Sequence, residues 1–403
     1  MFGVRMLAIA ALAAGVALPV CGAHAQTLAT LYNFTGGADG AMPYSGLIKK
    51  GGTLYGTTTF GGIPDCPNGC GTVYSVTPAG NETVLHAFTG GVDGEYPGGY
   101  LINVRGNFYG TTASGGDPNC NQTRGCGTVF SVTPGGVETV LHSFRHGHDD
   151  GVFPEAGLTY MGGKLYGTTT RGGANKRGTV YSITLSGHEK VLYSFQGGTD
   201  GAFPEADMVN VDGVLYGTTT YGGGGKCPHG CGTVFTITPA GVETVLHAFT
   251  GKDGAYPGAP LINVGGTVYG TTGFGGNAPC ATNARSSGCG TVFLVTASGV
   301  EVVLHSFTGG ADGANPYGLT LVNGKFFGTT VNGGGTGCFG FGCGTLFKIE
   351  NFGFATQYSS LSSFTGGSDA ANPYGLVHLG SKLYGTSLYG GAFGNGTVFQ
   401  FTP

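Results

Sequence analysis

The most chemically loaded stretch of this sequence is Phe144-Arg145-His146-Gly147-His148-Asp149-Asp150, where two imidazoles and two carboxylates fall within five residues. Nitrogen and oxygen donors at that spacing suit the ligation of a metal ion. Glu155 follows closely, Arg171, Lys176 and Arg177 stand on a glycine-rich stretch downstream, and Glu205 and Asp207 on a later one. We take His146, His148, Asp149, Glu155, Arg171, Arg177, Glu205 and Asp207 as the candidate ligand-binding set. The plainer alternative is a charge cluster solvated on loops. No nucleophile motif, paired acid and base, or cofactor-binding loop stands out, so no catalytic residue, metal site or cofactor is assigned.

These residues stand out because the rest of the chain repeats. Leu54-Tyr55-Gly56-Thr57-Thr58 returns six times, ending with Leu383 to Ser387, and each copy precedes a Gly-Gly pair and then a second marker, Gly71-Thr72-Val73-Tyr74 in the first instance and Gly396 to Phe399 in the last. A period of roughly 50 to 58 residues is that of repeats in which each unit forms one propeller blade. The 85 glycines sit at fixed repeat positions and read as turn residues. Charged residues make up 9% of the 403 and the net charge is −4, which excludes the basic stripe that nucleic acid requires.

In the third repeat, Gly157 to Tyr160, Lys164 to Thr169, Gly178 to Thr184 and Glu189 to Phe195 read as four short strands separated by Gly-rich turns. Apolar residues of both parities imply that both sheet faces are covered, as when blades stack around an axis. The seventh repeat stops after its third strand, while Leu28 to Phe34 matches the fourth strands. The expected fold is therefore an all-β, seven-bladed propeller of four-stranded meanders spanning 26–403, closed by the N-terminal strand pairing into the last blade. Both long loops, the cysteine-bearing one between the second and third strands and the one between blades, then share one face. A binding surface is expected there.

These markers, with the Glu-Thr-Val-Leu-His-x-Phe strand seen at 243–249, resemble the bacterial GloVer tandem repeats of exported "choice-of-anchor" proteins, and more loosely kelch and NHL propeller repeats. The resemblance spans nearly all of the chain after Gln26. It carries no chemistry to transfer, and this chain departs from many relatives in showing no anchor after its last repeat.

Residues 1–25 read as an export signal: Arg5, an apolar run from Met6 to Val20, and Ala23-His24-Ala25 before Gln26. Lipidation at Cys21 is the rival, disfavoured by Val20. The remaining ten cysteines form local pairs, Cys66 with Cys70, Cys120 with Cys126, Cys227 with Cys231, Cys280 with Cys289 and Cys338 with Cys343. An even count in an exported chain favours disulfides, and zinc, the alternative, needs four ligands where each loop offers two. A secreted or periplasmic monomer without a membrane span follows.

Three repeated features have bland readings. Asp39-Gly40 and its counterparts read as turns in which Asp bonds its own backbone ahead of glycine. His86, His142, His247 and His305, replaced by Tyr32, Tyr193 and Ser362, read as packing residues with a polar tip. Loop aromatics (Tyr44, Tyr96, Phe153, Phe203, Tyr256, Tyr317, Tyr374, with Phe60, Tyr221, Phe274 and Tyr389) suit either sugar stacking or packing beneath the loops. The expected function is a binding or scaffold module that recognises a glycan or an exported protein through the long-loop face. The alternative is a polysaccharide lyase or hydrolase with a polar site at the channel mouth near the third and fourth blades. Propeller repeats whose signatures need Trp are disfavoured, since the chain has none.

Overall fold

The computed structural model describes residues 26–403 apart from 121–123, 146–149, 281–287 and 353–354. The expected signal segment with Cys21, and His146, His148 and Asp149 of the candidate set, lie outside the described residues. Seven antiparallel sheets form the blades, each a four-stranded meander, with Glu95–Pro97 adding a fifth short strand to the sheet of blade 2. Blades 1 to 6 occupy 48–87, 102–143, 159–194, 209–248, 262–306 and 314–363. Blade 7 contains Ala370–Leu379, Lys382–Gly390 and Thr397–Thr402, and Thr27–Asn33 supplies its outer strand, with Thr27 opposite Thr402 and Asn33 opposite Thr397. The strands expected of the third repeat appear as Thr159–Met161, Lys164–Thr169, Thr179–Thr184 and Glu189–Ser194. Among the described residues no helix is long and apolar enough to cross a membrane.

Both markers are explained by contacts between blades. The aromatic residue of the Gly-Thr-Val marker meets, edge to face, the phenylalanine that ends the preceding blade's fourth strand: Phe34 on Tyr74, Phe88 on Phe130, Phe144 on Tyr181, Phe195 on Phe235, Phe249 on Phe293, Phe307 on Phe347 and Phe364 on Phe399, with centroids 5.0–5.3 Å apart. All fourteen rings are buried. The same marker ring lies against the glycine of Tyr-Gly-Thr-Thr, where any Cβ would approach it to 2.4–2.8 Å, so only glycine fits. The last hydroxyl of that motif bonds the hydroxyl of the marker threonine, Thr58 with Thr72 through Ser387 with Thr397, at 2.8–2.9 Å in all seven blades. These pairs satisfy hydroxyls that would otherwise be buried without partners.

The loop between blades is built by its aspartate, which reaches backward; Asp150 also accepts from the Gly151 amide ahead of it at 2.8 Å. Asp39 accepts from the Thr35 amide at 2.8 Å and from the Tyr32 hydroxyl at 2.9 Å. Asp200 accepts likewise from Gln196 and Tyr193. Elsewhere the strand histidine takes the tyrosine's place, His247 and His305 lying 3.0 Å from Asp253 and Asp312, and His142 and His86 at 3.3 and 3.4 Å from Asp150 and Asp93. The tips of His142, His247 and His305 therefore hydrogen-bond the aspartate and clasp the loop, while His86 lies at ion-pair distance from Asp93 without a hydrogen bond. Burial alone would raise Asp93, Asp253 and Asp312, but the neighbouring histidine and hydrogen bonds from threonine hold them below the usual carboxylate range.

A glutamate opening the next blade's fourth strand faces five of these clasps: Glu82, Glu138, Glu189, Glu243 and Glu301. Each is partly buried with an unpartnered Oε1, and burial pushes each carboxyl up to about 7. His142, Asp150 and Glu189, and likewise His247, Asp253 and Glu301, bring ligand atoms within 4.8 Å of one another. Because tyrosine fills the histidine position in two interfaces of the same geometry, the arrangement is an interface lock before it is a metal site.

The five cysteine pairs are bonded as expected, with Cα atoms 5.1–5.6 Å apart. They staple the loops between second and third strands. The long loops meet on one face through bridges such as Ala41 to Phe60, Ala202 to Tyr221 and Ala255 to Phe274.

Two outcomes follow. Phe34→Ala removes the aromatic contact between blade 7 and blade 1 and should cost ~3–5 kcal/mol, seen as a large fall in Tm, while Phe339→Ala, at a fully exposed ring, should leave Tm unchanged. Stability should also fall as pH rises from 4.5 through 7: in that window the five glutamates keep their protons in the fold while the unfolded chain has lost them. Tm measured at about pH 5 should exceed that at about pH 8, and replacing the five by glutamine should flatten the slope. A steeper slope in that variant would contradict the assignment.

Candidate functional site

At the start of every blade the chain passes through a proline whose preceding residue has a left-handed backbone: Met42, Tyr96, Phe153, Phe203, Tyr256, Asn315 and Asn372, with φ of 53–61°. Residues before proline ordinarily stay extended, and bulky ones seldom adopt positive φ. Here the neighbouring blade holds them. The Phe203 amide donates to the Arg177 carbonyl at 2.9 Å and its carbonyl accepts from Thr220 at 3.0 Å, and Phe153 is held by Cys126 and Thr170 in the same way. Each proline ring then lies on the glycine that begins the previous blade's marker, as Pro204 does on Gly178. This bend sends the residue before the proline onto the long-loop face and the residue after it toward the central channel.

The aromatics grouped by sequence thus divide. Tyr44, Tyr317 and Tyr374 follow their prolines and cluster at the channel mouth, with Tyr374 centred 4.6 Å from each of the other two. Phe203 and Tyr256 precede theirs and join Tyr221 and Phe274 in a continuous edge-to-face row across blades 4 and 5, with spacings of 5.4–5.9 Å.

Where the other blades carry tyrosine or glycine after the proline, blades 3 and 4 carry Glu155 and Glu205. Thr170 donates to Glu155 at 3.1 Å and Thr220 to Glu205 at 2.9 Å. Burial raises both carboxyls above their ordinary range against these bonds; the charge of Arg171 offsets part of the rise at Glu155, and that of Glu155 adds to it at Glu205. Both line a cavity of about 880 Å³ between blades 3 and 4, together with Arg171, Arg177, Phe153, Phe203, Tyr221 and His229. The guanidiniums of Arg171 and Arg177 stand over the Phe203 ring at 5.9 and 5.7 Å.

The structure therefore brings Glu155, Arg171, Arg177 and Glu205 of the candidate set into one cavity. Asp207 lies deeper, in a pocket of about 80 Å³ on the channel axis that Glu155 and Glu205 also line, with Tyr44, Tyr100 and Tyr317. Its carboxylate accepts from the Gly157 amide at 2.6 Å, and burial nonetheless pushes it up to about 6. Tyr100 crosses the channel, its hydroxyl filling the space that a side chain at Gly375 would need. Sequence reasoning missed Tyr100 and His229. Tyr100 is itself a departure from the repeat, standing where Gly46 and Gly157 stand, so the rule that singled out the acidic residues would have found it. His229 replaces Asn68 in an otherwise parallel Cys-Pro-x-Gly-Cys loop. A wall of two carboxyls and two guanidiniums beside a row of ring faces can hydrogen-bond a polyhydroxylated ligand and stack against it.

Similarity to known proteins agrees with the fold. A puromycin hydrolase superposes with a TM-score of 0.52 at 13% identity over 84% of this chain and 49% of that one, so this chain spans about half of it. A puromycin-hydrolyzing peptidase of Mycobacterium tuberculosis gives 0.50 at 13% over 85% and 48%, and a computationally designed protein 0.50 at 12% over 89% and 82%. At these identities the likeness is one of fold alone. No curated protein sequence matches the chain. The model of the Gloeobacter/Verrucomicrobia repeat, however, matches residues 20–145 and 67–283, more than half of the 403 residues, and the chain belongs to that repeat family.

Proposed function

We propose that this propeller is an exported carbohydrate-binding module whose ligand sits on the long-loop face, in the cavity between blades 3 and 4 and along the aromatic row beside it. The observation that carries the reading is that row, Phe203, Tyr221, Tyr256 and Phe274, running out of a cavity that also presents Glu155, Glu205, Arg171 and Arg177. Sugar rings present C–H faces to aromatic rings and hydroxyls to carboxylates, and this surface supplies both. Five disulfides suit an oxidising compartment outside the cytosol. A second reading, a glycan hydrolase or lyase, draws support from Glu155 and Glu205, two carboxyls displaced toward the protonated form in one cavity.

A glycan array probed with residues 26–403 tests the binding reading. Specific hits are expected, and Tyr221→Ala and Glu205→Gln should each weaken them at least several-fold without lowering Tm. An array with no hits would overturn it. New reducing ends on incubation with a bound glycan, lost in Glu155→Gln, would establish the enzymatic reading.

A further inference from the structure

Two arginines in the blade 3–4 cavity are the chain's sharpest departures from its own repeat, and resting on the carbohydrate reading above, we propose that they make the site selective for a sugar bearing a carboxylate. The residue before the Gly-Gly pair is Phe60, Ser114, Tyr221, Phe274, Asn332 or Tyr389 in the other six blades, and Arg171 only in blade 3. The residue before the marker glycine is the second cysteine of a disulfide in five blades, Asn395 in blade 7, and Arg177 in blade 3. In blades 1, 4 and 6 the cysteine sulfurs lie beneath the turn that follows the fourth strand, a Cβ on Gly90 coming within 2.2 Å of the Cys66 sulfur, and in blade 7 Asn395 meets Gly36 there. In blade 3 the corresponding space at Gly197 is met by the Arg177 side chain, at 3.5–3.8 Å. A cation has replaced a staple.

Both guanidiniums lie over one ring, that of Phe203. Among the described residues neither has a carboxylate within 4.0 Å, whereas Arg145, Lys325 and Lys348 have acidic partners, Lys49 and Lys50 each donate to a carbonyl and Lys382 to Gln400. The two positive charges lie over one ring in the cavity wall, and although the charge of Arg171 reaches Glu155, neither guanidinium is bonded to a carboxylate among the described residues, which leaves that bond for a ligand's carboxylate to make. Planar guanidiniums match the two oxygens of a carboxylate. Glu155 and Glu205 line the same cavity and disfavour a multiply charged anion, while offering acceptors to hydroxyl groups. One carboxylate set among hydroxyls, on a ring able to lie against Tyr221, meets all of these conditions. A hexuronate is the simplest such unit.

The test is calorimetric titration of residues 26–403 with a hexuronate oligosaccharide and with its carboxyl-reduced, neutral counterpart. The acidic ligand should bind about tenfold or more tightly than the neutral one, the worth of one charge-assisted hydrogen bond. That preference should vanish in R171Q/R177Q while Tm is unchanged, and should shrink at high salt. Equal affinity for the two ligands, or a preference that survives in the double variant, would overturn the inference and leave the carbohydrate reading standing. Displacement of the sugar by inorganic phosphate at equal concentration would overturn it in favour of a general anion site. Binding of neither oligosaccharide, together with an array without hits, would overturn both.

Discussion

Every blade leans on the next through one aromatic pair, a phenylalanine from the end of a fourth strand set edge-on against the ring of the following blade's third strand. The pair fixes much of the repeat at once. It requires glycine in the second strand, because the ring occupies the volume a side chain would take, and in six of the seven blades it places the fourth strand's penultimate ring, histidine or tyrosine, beside the loop aspartate; Ser362 stands there in the other. Stacked rings of this kind contribute beyond the area they bury. In a solenoid, stability is a sum of units and the interfaces between neighbours; here there are seven interfaces and no free end, so the interface term is complete.

The symmetric chemistry serves the ring, and the site is made where that symmetry fails. The proline bend is common to all blades and spends backbone strain to turn successive residues in opposite directions. Which residues occupy those two positions is then free to vary. Three tyrosines crowd one side of the channel mouth and two glutamates the other, while on the upper face an aromatic row ends against two arginines. Asn315 and Asn372, which tolerate positive φ more readily than aromatics do, stand with Met42 in the three blades that carry no ring before the proline.

Much of the scaffold was legible in the sequence because seven copies average out local ambiguity: strand number, closure by Leu28 to Phe34 and the pairing of cysteines all follow from counting. The role of the aspartates was not. Turn chemistry favours bonding to the residues ahead, and the clasp instead links Asp253 to His247 across a loop whose folded path the sequence does not give. Glu301 joins that clasp from another blade, so no local pattern contains it. Part of the site was visible as departures from the repeat, Glu155, Arg171, Arg177 and Glu205 among them. What sequence could not divide was the aromatic set: Phe203 and Tyr317 flank equivalent prolines by one residue on either side, yet the bend sends one outward and the other to the axis.

The sheet that closes the ring joins Thr27 to Thr402, partners separated by nearly the whole chain. Bringing them together carries the largest loop-closure cost of any contact in the molecule, whereas each of blades 1 to 6 completes itself from contiguous residues. The order of assembly is thereby written into the topology. Each of the six meanders is complete in contiguous residues, and the ring closes only when the first strand pairs with the last. Until that pairing forms the chain is an open arc, and whatever masks Leu28 to Phe34 would leave the whole molecule unclosed.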